Sequence, residues 1–224
     1  MKQWMVLAAL AASSTACVAN QGDAPVRLLA ARSLRSEGGA CAVGDRQLLA
    51  GSLDVSGGSS YLLGLSLEAN LVQQNITIGG NQYSGPGLSD VTLSEVVVTY
   101  ESQPRVALPR EERIPVYALI RPGTSANSFL LLYGIGPKAL TVLRDAVSSD
   151  QPVTVLSTIK AVGQMSSGHN VETNEITFPI TVINSGYDPA GRKCSDTTLS
   201  VSPTAMGACN QLGQDTGPIC VPPT

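Results

Sequence analysis

Tryptophan is all but missing from this chain. Of 224 residues the single Trp is Trp4, and only two Phe and six Tyr accompany it. Trp is favoured at interaction hot spots, so its scarcity argues against a site that recognises sugars or peptides by stacking. Histidine is as scarce: His169, within "SSGHN", is the one imidazole and reads as a turn tip. One His could serve a Ser-His-Asp triad, but no Gly-x-Ser-x-Gly elbow accompanies it. A His-Glu-x-x-His helix, a phosphate loop and a dinucleotide fingerprint are missing as well. Charged residues make up only 14%, and the net charge is −3. There is no basic excess to draw in nucleic acid through its phosphates. The adjacent Glu111 and Glu112 sit between Arg110 and Arg113. They read as a solvated, self-neutralising loop, not the spaced carboxylates of a glycosidase. Asp, Asn and Gly are scattered without the order of a calcium loop. The expectation is a protein with no catalytic residue, no metal and no cofactor, a hydrolase built on His169 being the distant alternative.

What is present begins at the N-terminus. Lys2 precedes the apolar run Met5–Ala12, and the small residues Ser13 to Ala16 lead to Cys17. A positive start, a short apolar stretch and a small-residue cleavage site make a secretory leader. About 20 apolar residues are needed to cross a bilayer, so this run does not read as a membrane span. Ser14-Thr15-Ala16-Cys17 resembles a bacterial lipobox, with Ser14 where Leu is usual. That resemblance implies cleavage before Cys17, diacylglycerol on its sulfur and a fatty acid on its amine. Several acyl chains anchor stably where one does so marginally. Val18 after the cysteine implies outer-membrane sorting. Ordinary cleavage beside Cys17, leaving a free or paired thiol, is the other reading, and the Asn75-Ile-Thr sequon carries no meaning beside such a leader.

Residues 17–40 read as a lipidated tether. Arg27, Arg32 and Arg35 would either lie against anionic headgroups or belong to a solvated linker or first strand. From residue 41 to 184 the chain reads as strands. Tyr61, Leu63, Leu65 and Leu67 alternate with Leu62, Gly64, Ser66 and Glu68, placing four apolar side chains on one face. A run before them is expected to join this strand as a hairpin at Gly57-Gly58. Ile176, Phe178, Ile180 and Val182 alternate as regularly, and Pro179, lacking a donor, points to an edge position. The segment "PRVALPREERIP" is broken by prolines and reads as loop or edge. One stretch differs: Pro137 at a first helical position, then Ala139, Leu140, Leu143, Ala146 and Val147, predicts a three-turn helix. Seven or eight strands without a βαβ rhythm predict a mainly β fold, an antiparallel β-sandwich, immunoglobulin-like or related, with one short helix.

Five cysteines are an odd number for a secreted chain. Assigning Cys17 to lipid leaves Cys41, Cys194, Cys209 and Cys220, which should pair in an oxidising compartment. Three connectivities are open; Cys209–Cys220 as a local clip with Cys41–Cys194 is preferred. Residues 185–224 are Gly/Pro-rich with little apolar content to hold them by burial, so a disulfide-tied tail packed on the domain is expected, the cross-links supplying the order that packing does not. The tail "CNQLGQDTGPIC" and the strand "NEITFPITV" resemble the closing pattern of uncharacterised predicted lipoproteins of myxobacteria and their relatives, with Gly-Gln-Asp near the end. The resemblance implies a compartment and an architecture, and no activity. The function expected is a non-catalytic, outer-membrane-anchored lipoprotein with a structural or protein-interaction role in the cell envelope. Its partners would be the membrane, through its lipid anchor, and other envelope proteins, with no nucleic acid. The alternative is a surface-displayed module binding glycan or peptide, which Tyr83 and Tyr187 clustered in one concavity would favour.

Overall fold

The computed structural model describes residues 24–71, 76–83 and 89–223. The leader, Cys17 and Asn75 lie outside the described residues. The fold is mainly β with one α-helix. Strands β1 (Val26–Glu37), β2 (Ala40–Gln47), β4 (Tyr61–Ala69) and β9 (Ser128–Ile135) form a four-stranded sheet in the order β2-β1-β4-β9. The second sheet runs β3 (Gly51–Asp54), β12 (Ile176–Ile183), β10 (Val153–Met165), β7 (Val91–Gln103), β8 (Glu111–Ile120). The short β11 (Asn170–Glu172) pairs with β10 as its sixth strand. A small hairpin, β5 (Ile76–Ile78) and β6 (Asn81–Tyr83), stands apart.

Period-two patterning explains how the sheets face each other. Tyr61, Leu63, Leu65 and Leu67 are all buried, as are Phe178, Ile180 and Val182, and residues of both sheets belong to one hydrophobic core. Helix α1 (Pro137–Ala146) follows β9, with Pro137 in its first turn and Ala139, Leu140 and Leu143 buried. Ala146 is exposed, so the apolar face turns past it to Val147. Two side-chain amides stitch the sheets together. Asn174, just before β12, accepts from the Leu28 amide (2.7 Å) and donates to the Leu28 carbonyl (2.9 Å) on β1. Gln214 does the same for Leu62 on β4, at 2.9 and 2.8 Å.

Three expectations need correcting. The folded domain begins at Val26, not at residue 41: β1 lies between β2 and β4 as an interior strand. Its arginines are engaged there, Arg27 with Glu68, Arg35 with Glu37, and Arg32 with the Asp45 carbonyl. Gly57-Gly58 is not a hairpin, because β3 and β4 belong to different sheets. Gly57 is small because Ile219, Tyr187 and Leu212 crowd the place a Cβ would take. Pro179 is not on an edge strand, since β12 is flanked by β10 and by β3. The β3 pairing starts at Ile180, so Pro179 sits just outside the ladder it could not serve. That β3–β12 pairing is parallel, the one such pair between the named strands.

Candidate functional site

β3 is only four residues long, and its second edge is closed by the tail. The amide of Asp54 donates to the Gly213 carbonyl and that of Asp215 to the Ser52 carbonyl, both at 2.9 Å. Gly213-Gln214-Asp215 thus acts as one more strand segment beside β3. The tail is therefore not ordered by cross-links alone, as composition had implied. Burial of Ala205, Gln214, Ile219 and Cys220 contributes as well.

Asp54 is the hub of this seam and is fully buried. Its Oδ1 accepts from the Ser56 amide (3.1 Å), the Ser56 hydroxyl and the Ser185 amide (3.2 Å). Its Oδ2 accepts from the Ile219 amide at 2.8 Å. Asp215 accepts from the Ser52 amide (2.9 Å) and from the Tyr61 hydroxyl (3.1 Å). The Tyr61 hydroxyl reaches it across the spot where any side chain at residue 51 would stand, which requires Gly51.

Both disulfides frame the seam. Cys41 bonds Cys209 and Cys194 bonds Cys220, with Cα separations of 4.8 and 5.8 Å. The expected local clip is overturned. The turn at Ala208–Asn210 lies on the β1–β2 hairpin, where the Cys209 amide donates to Ser36 Oγ (2.9 Å). Ser36 is the ladder partner of Cys41, so the docked tail, not proximity in sequence, selects the pair.

Glu112 sits apart from the seam and corrects the solvated-loop reading. The strand period splits "EER": Glu111 and Arg113 turn outward and form an ion pair (2.8 Å), while Glu112 turns inward and is buried. Helix α1 has Gly136 at its N-cap and no side-chain cap from its own segment. Glu112 supplies one from 26 residues away, Oε1 accepting from the Lys138 amide and Oε2 from the Ala139 amide, both at 2.9 Å. The Tyr100 hydroxyl donates to Oε2 (3.1 Å) and accepts from the Gly136 amide (2.8 Å). An anion at a helix N-terminus meets both the orphan N–H groups and the macrodipole. The signal available in sequence was the bare cap: a helix opening Gly-Pro-Lys with no acid in its first turn.

Beside the seam lies an open groove of 760 Å³, lined among others by Ser56, Arg144, Asn184, Tyr187, Pro189 and Ser195. Arg144 is fixed there by donating to the Gly58 carbonyl at 2.7 Å. A second groove, of 720 Å³, follows the β7–β8 connection between Glu101, Arg105 and Arg110. Tyr187 lines the first groove; the side chain of Tyr83 lies outside the described residues. The Ser56 hydroxyl is spent on Asp54, whose carboxylate is already engaged by backbone amides. His169 is exposed in the β10–β11 turn with Ser167 Oγ 3.2 Å from its Nδ1. It stands at the far end of β10 from the seam, about 40 Å away at ~3.3 Å per residue. Among the described residues no cluster of His, Cys, Asp or Glu is arranged to hold a metal ion.

Burial pushes the Tyr61 phenol well above the ordinary tyrosine range, and Asp215 adds to the shift. Burial does the same for Tyr100, opposed by the Gly136 amide and reinforced by Glu112. The sign follows by linkage: the folded state holds two protons that the unfolded chain releases near pH 10. This contribution is whole below about pH 10 and shrinks as pH climbs toward the folded values. Ultraviolet titration of the native protein should leave Tyr61 and Tyr100 un-ionised until the fold gives way. Phenolate formation at both near pH 10 without unfolding would contradict it.

No protein-family description, curated protein or solved structure matches this chain.

Proposed function

We propose that the protein is a non-catalytic lipoprotein of the outer membrane, anchored through Cys17, whose β-sandwich serves a structural or protein-interaction role in the cell envelope. The observation that carries this reading is the pairing of all four cysteines downstream of Cys17. Such cross-links persist in oxidising compartments, and they leave Cys17 as the odd thiol directly after a leader.

The fold supports a defined orientation for such a chain. Between Cys17 and Val26 lie eight residues, which reach at most about 30 Å when fully extended. β1 enters at the end of the sandwich where Pro25 accepts from the Asn70 amide and Thr124 from the Ala69 amide. That end would face the bilayer. Helix α1, both grooves, the Asp54 seam and the tail gather at the opposite end, presented to partners.

The test is the intact mass of the protein purified from membranes, with and without reductant. Expected is a chain starting at Cys17 with acyl mass added, gaining four protons as two disulfides open. Cys17→Ser should move the protein from the membrane to the soluble fraction. An unmodified chain, or a Cys17→Ser variant still membrane-bound, would overturn the anchor.

A further inference from the structure

The two sheets have four edges, and three are guarded. β2 carries Asp45 and Arg46 and is tied to the tail through Cys41. β3 is covered by Gly213-Gln214-Asp215. β8 holds Glu111, Arg113 and Pro115, and its register with β7 is broken by a bulge. Charges, prolines, bulges and coverings are the devices by which sheets avoid pairing with foreign strands. From Ser128 to Tyr133 β9 has none of them, its one bulge falling after Tyr133, at Gly134. Its sequence, Ser-Phe-Leu-Leu-Leu-Tyr-Gly-Ile, contains no charge and no proline, and from Ser128 to Tyr133 it keeps a regular register with Leu67 to Leu62 of β4. Among the described residues no strand pairs with its other edge. Phe129, Leu131 and Tyr133 point outward, each about 40% exposed, while Leu130 and Leu132 are buried.

We propose that β9 is a self-association strand: two copies of this chain pair Phe129–Tyr133 antiparallel about a two-fold axis at Leu131. The sequence favours a second copy over an unrelated strand. Phe129-Leu130-Leu131-Leu132-Tyr133 is a near-palindrome in residue type. A two-fold at Leu131 therefore sets Phe129 opposite Tyr133, Leu130 opposite Leu132, and Leu131 opposite itself. Aromatic meets aromatic on the outer face and leucine meets leucine on the inner one, the pairs that stabilise antiparallel ladders. An isologous interface must be self-complementary in this way. A charged edge would set like charges face to face on self-pairing, and this one carries no charge. The junction of one strand pair falls below the ~800 Å² per partner of a standard interface, so the dimer is concentration-dependent. The inference rests on the edge alone and holds whether or not Cys17 is acylated.

Cysteine placed along β9 of the full chain reads the register directly. Opposed residues in an antiparallel pair lie within about 5.5 Å, inside disulfide range. Residue 129 and its symmetry copy are offset by four residues, about 14 Å, outside that range. Under a mild oxidant, with the unsubstituted chain as control for Cys17, Leu131→Cys should give a covalent dimer. Phe129→Cys alone and Tyr133→Cys alone should give at least about tenfold less, and mixing those two chains should restore it. Leu131→Lys, exposed and outside the core, should stay folded by circular dichroism yet sediment as a monomer where the native chain dimerises. Equal crosslinking at 129 and 131, crosslinking instead at Tyr117→Cys on β8, or a native chain monomeric at every concentration would each overturn the proposal.

Discussion

Asp54→Ala should lower the stability of the domain by about 4 kcal/mol, the range seen when one partner of a buried polar cluster is removed. The side chain is fully buried and receives hydrogen bonds from Ser56, Ser185 and Ile219. Truncation leaves those donors without water or carboxylate, and an unsatisfied buried donor costs about 1–3 kcal/mol. Three segments lose their common anchor at once: the β3–β4 crossover, the chain leaving β12, and the tail. Asp54→Asn separates charge from shape. It can still accept from Ser56 and Ser185 but turns an NH₂ toward the Ile219 amide, so roughly half the loss is expected. Urea unfolding gives the free energy, and hydrogen exchange at the Ile219 amide shows whether the tail lifts first. An alanine variant within about 1 kcal/mol of the native protein would mean that the disulfides alone hold the tail.

Glu112→Ala should be the next most damaging change, at about 3 kcal/mol. A lost N-cap costs about 1–2 kcal/mol, and here the Tyr100 hydroxyl loses its acceptor as well. Glu112→Gln is the sharper variant, because it keeps the volume that fills the space against Gly136. Its one oxygen can serve the Lys138 or the Ala139 amide, and its NH₂ then opposes the other. A loss of roughly 2 kcal/mol is therefore expected from Gln. Exchange at the Lys138 and Ala139 amides should quicken in both variants while β10 stays protected. If Gln behaves as the native residue, the cap is not what holds α1 across the end of the sandwich.

These two acids were the part of the molecule hardest to read. Runs that alternate cleanly, such as Tyr61 to Leu67 and Ile176 to Val182, revealed both strand and buried face, because period two survives wherever the ladder is regular. β1 could be read only as a linker or a first strand because it is not regular. The bulge between Leu28 and Ala30 shifts the register by one, so Val26, Leu28 and Ala31 point inward and no alternation results. Helix α1 was legible from Pro137 and its apolar spacing, but its cap came from another strand, and local patterns carry no such information. The tail was misjudged for a related reason. Counting apolar residues cannot register a segment held by Gln214 and Asp215 through paired hydrogen bonds to Leu62, Ser52 and Tyr61. Evenness of the cysteine count is a property of composition; the connectivity is a property of the docked tail.

The two cross-links interleave along the chain: Cys41, Cys194, Cys209 and Cys220 occur in that order, and the first joins the third while the second joins the fourth. Made from its N-terminus at about 5–20 residues per second, the chain displays Cys41 long before Cys209 exists. Cys194 is the first thiol of the later three to emerge, and it is the wrong one. Oxidation that simply followed the order of emergence would join Cys41 to Cys194 and then Cys209 to Cys220, sealing the tail away from β3. The native arrangement is thus not the one that order of emergence alone would select. Either the last residues dock before any sulfur is committed, or an early mispair is undone by thiol exchange, and only on the second route does maturation depend on what supplies that exchange.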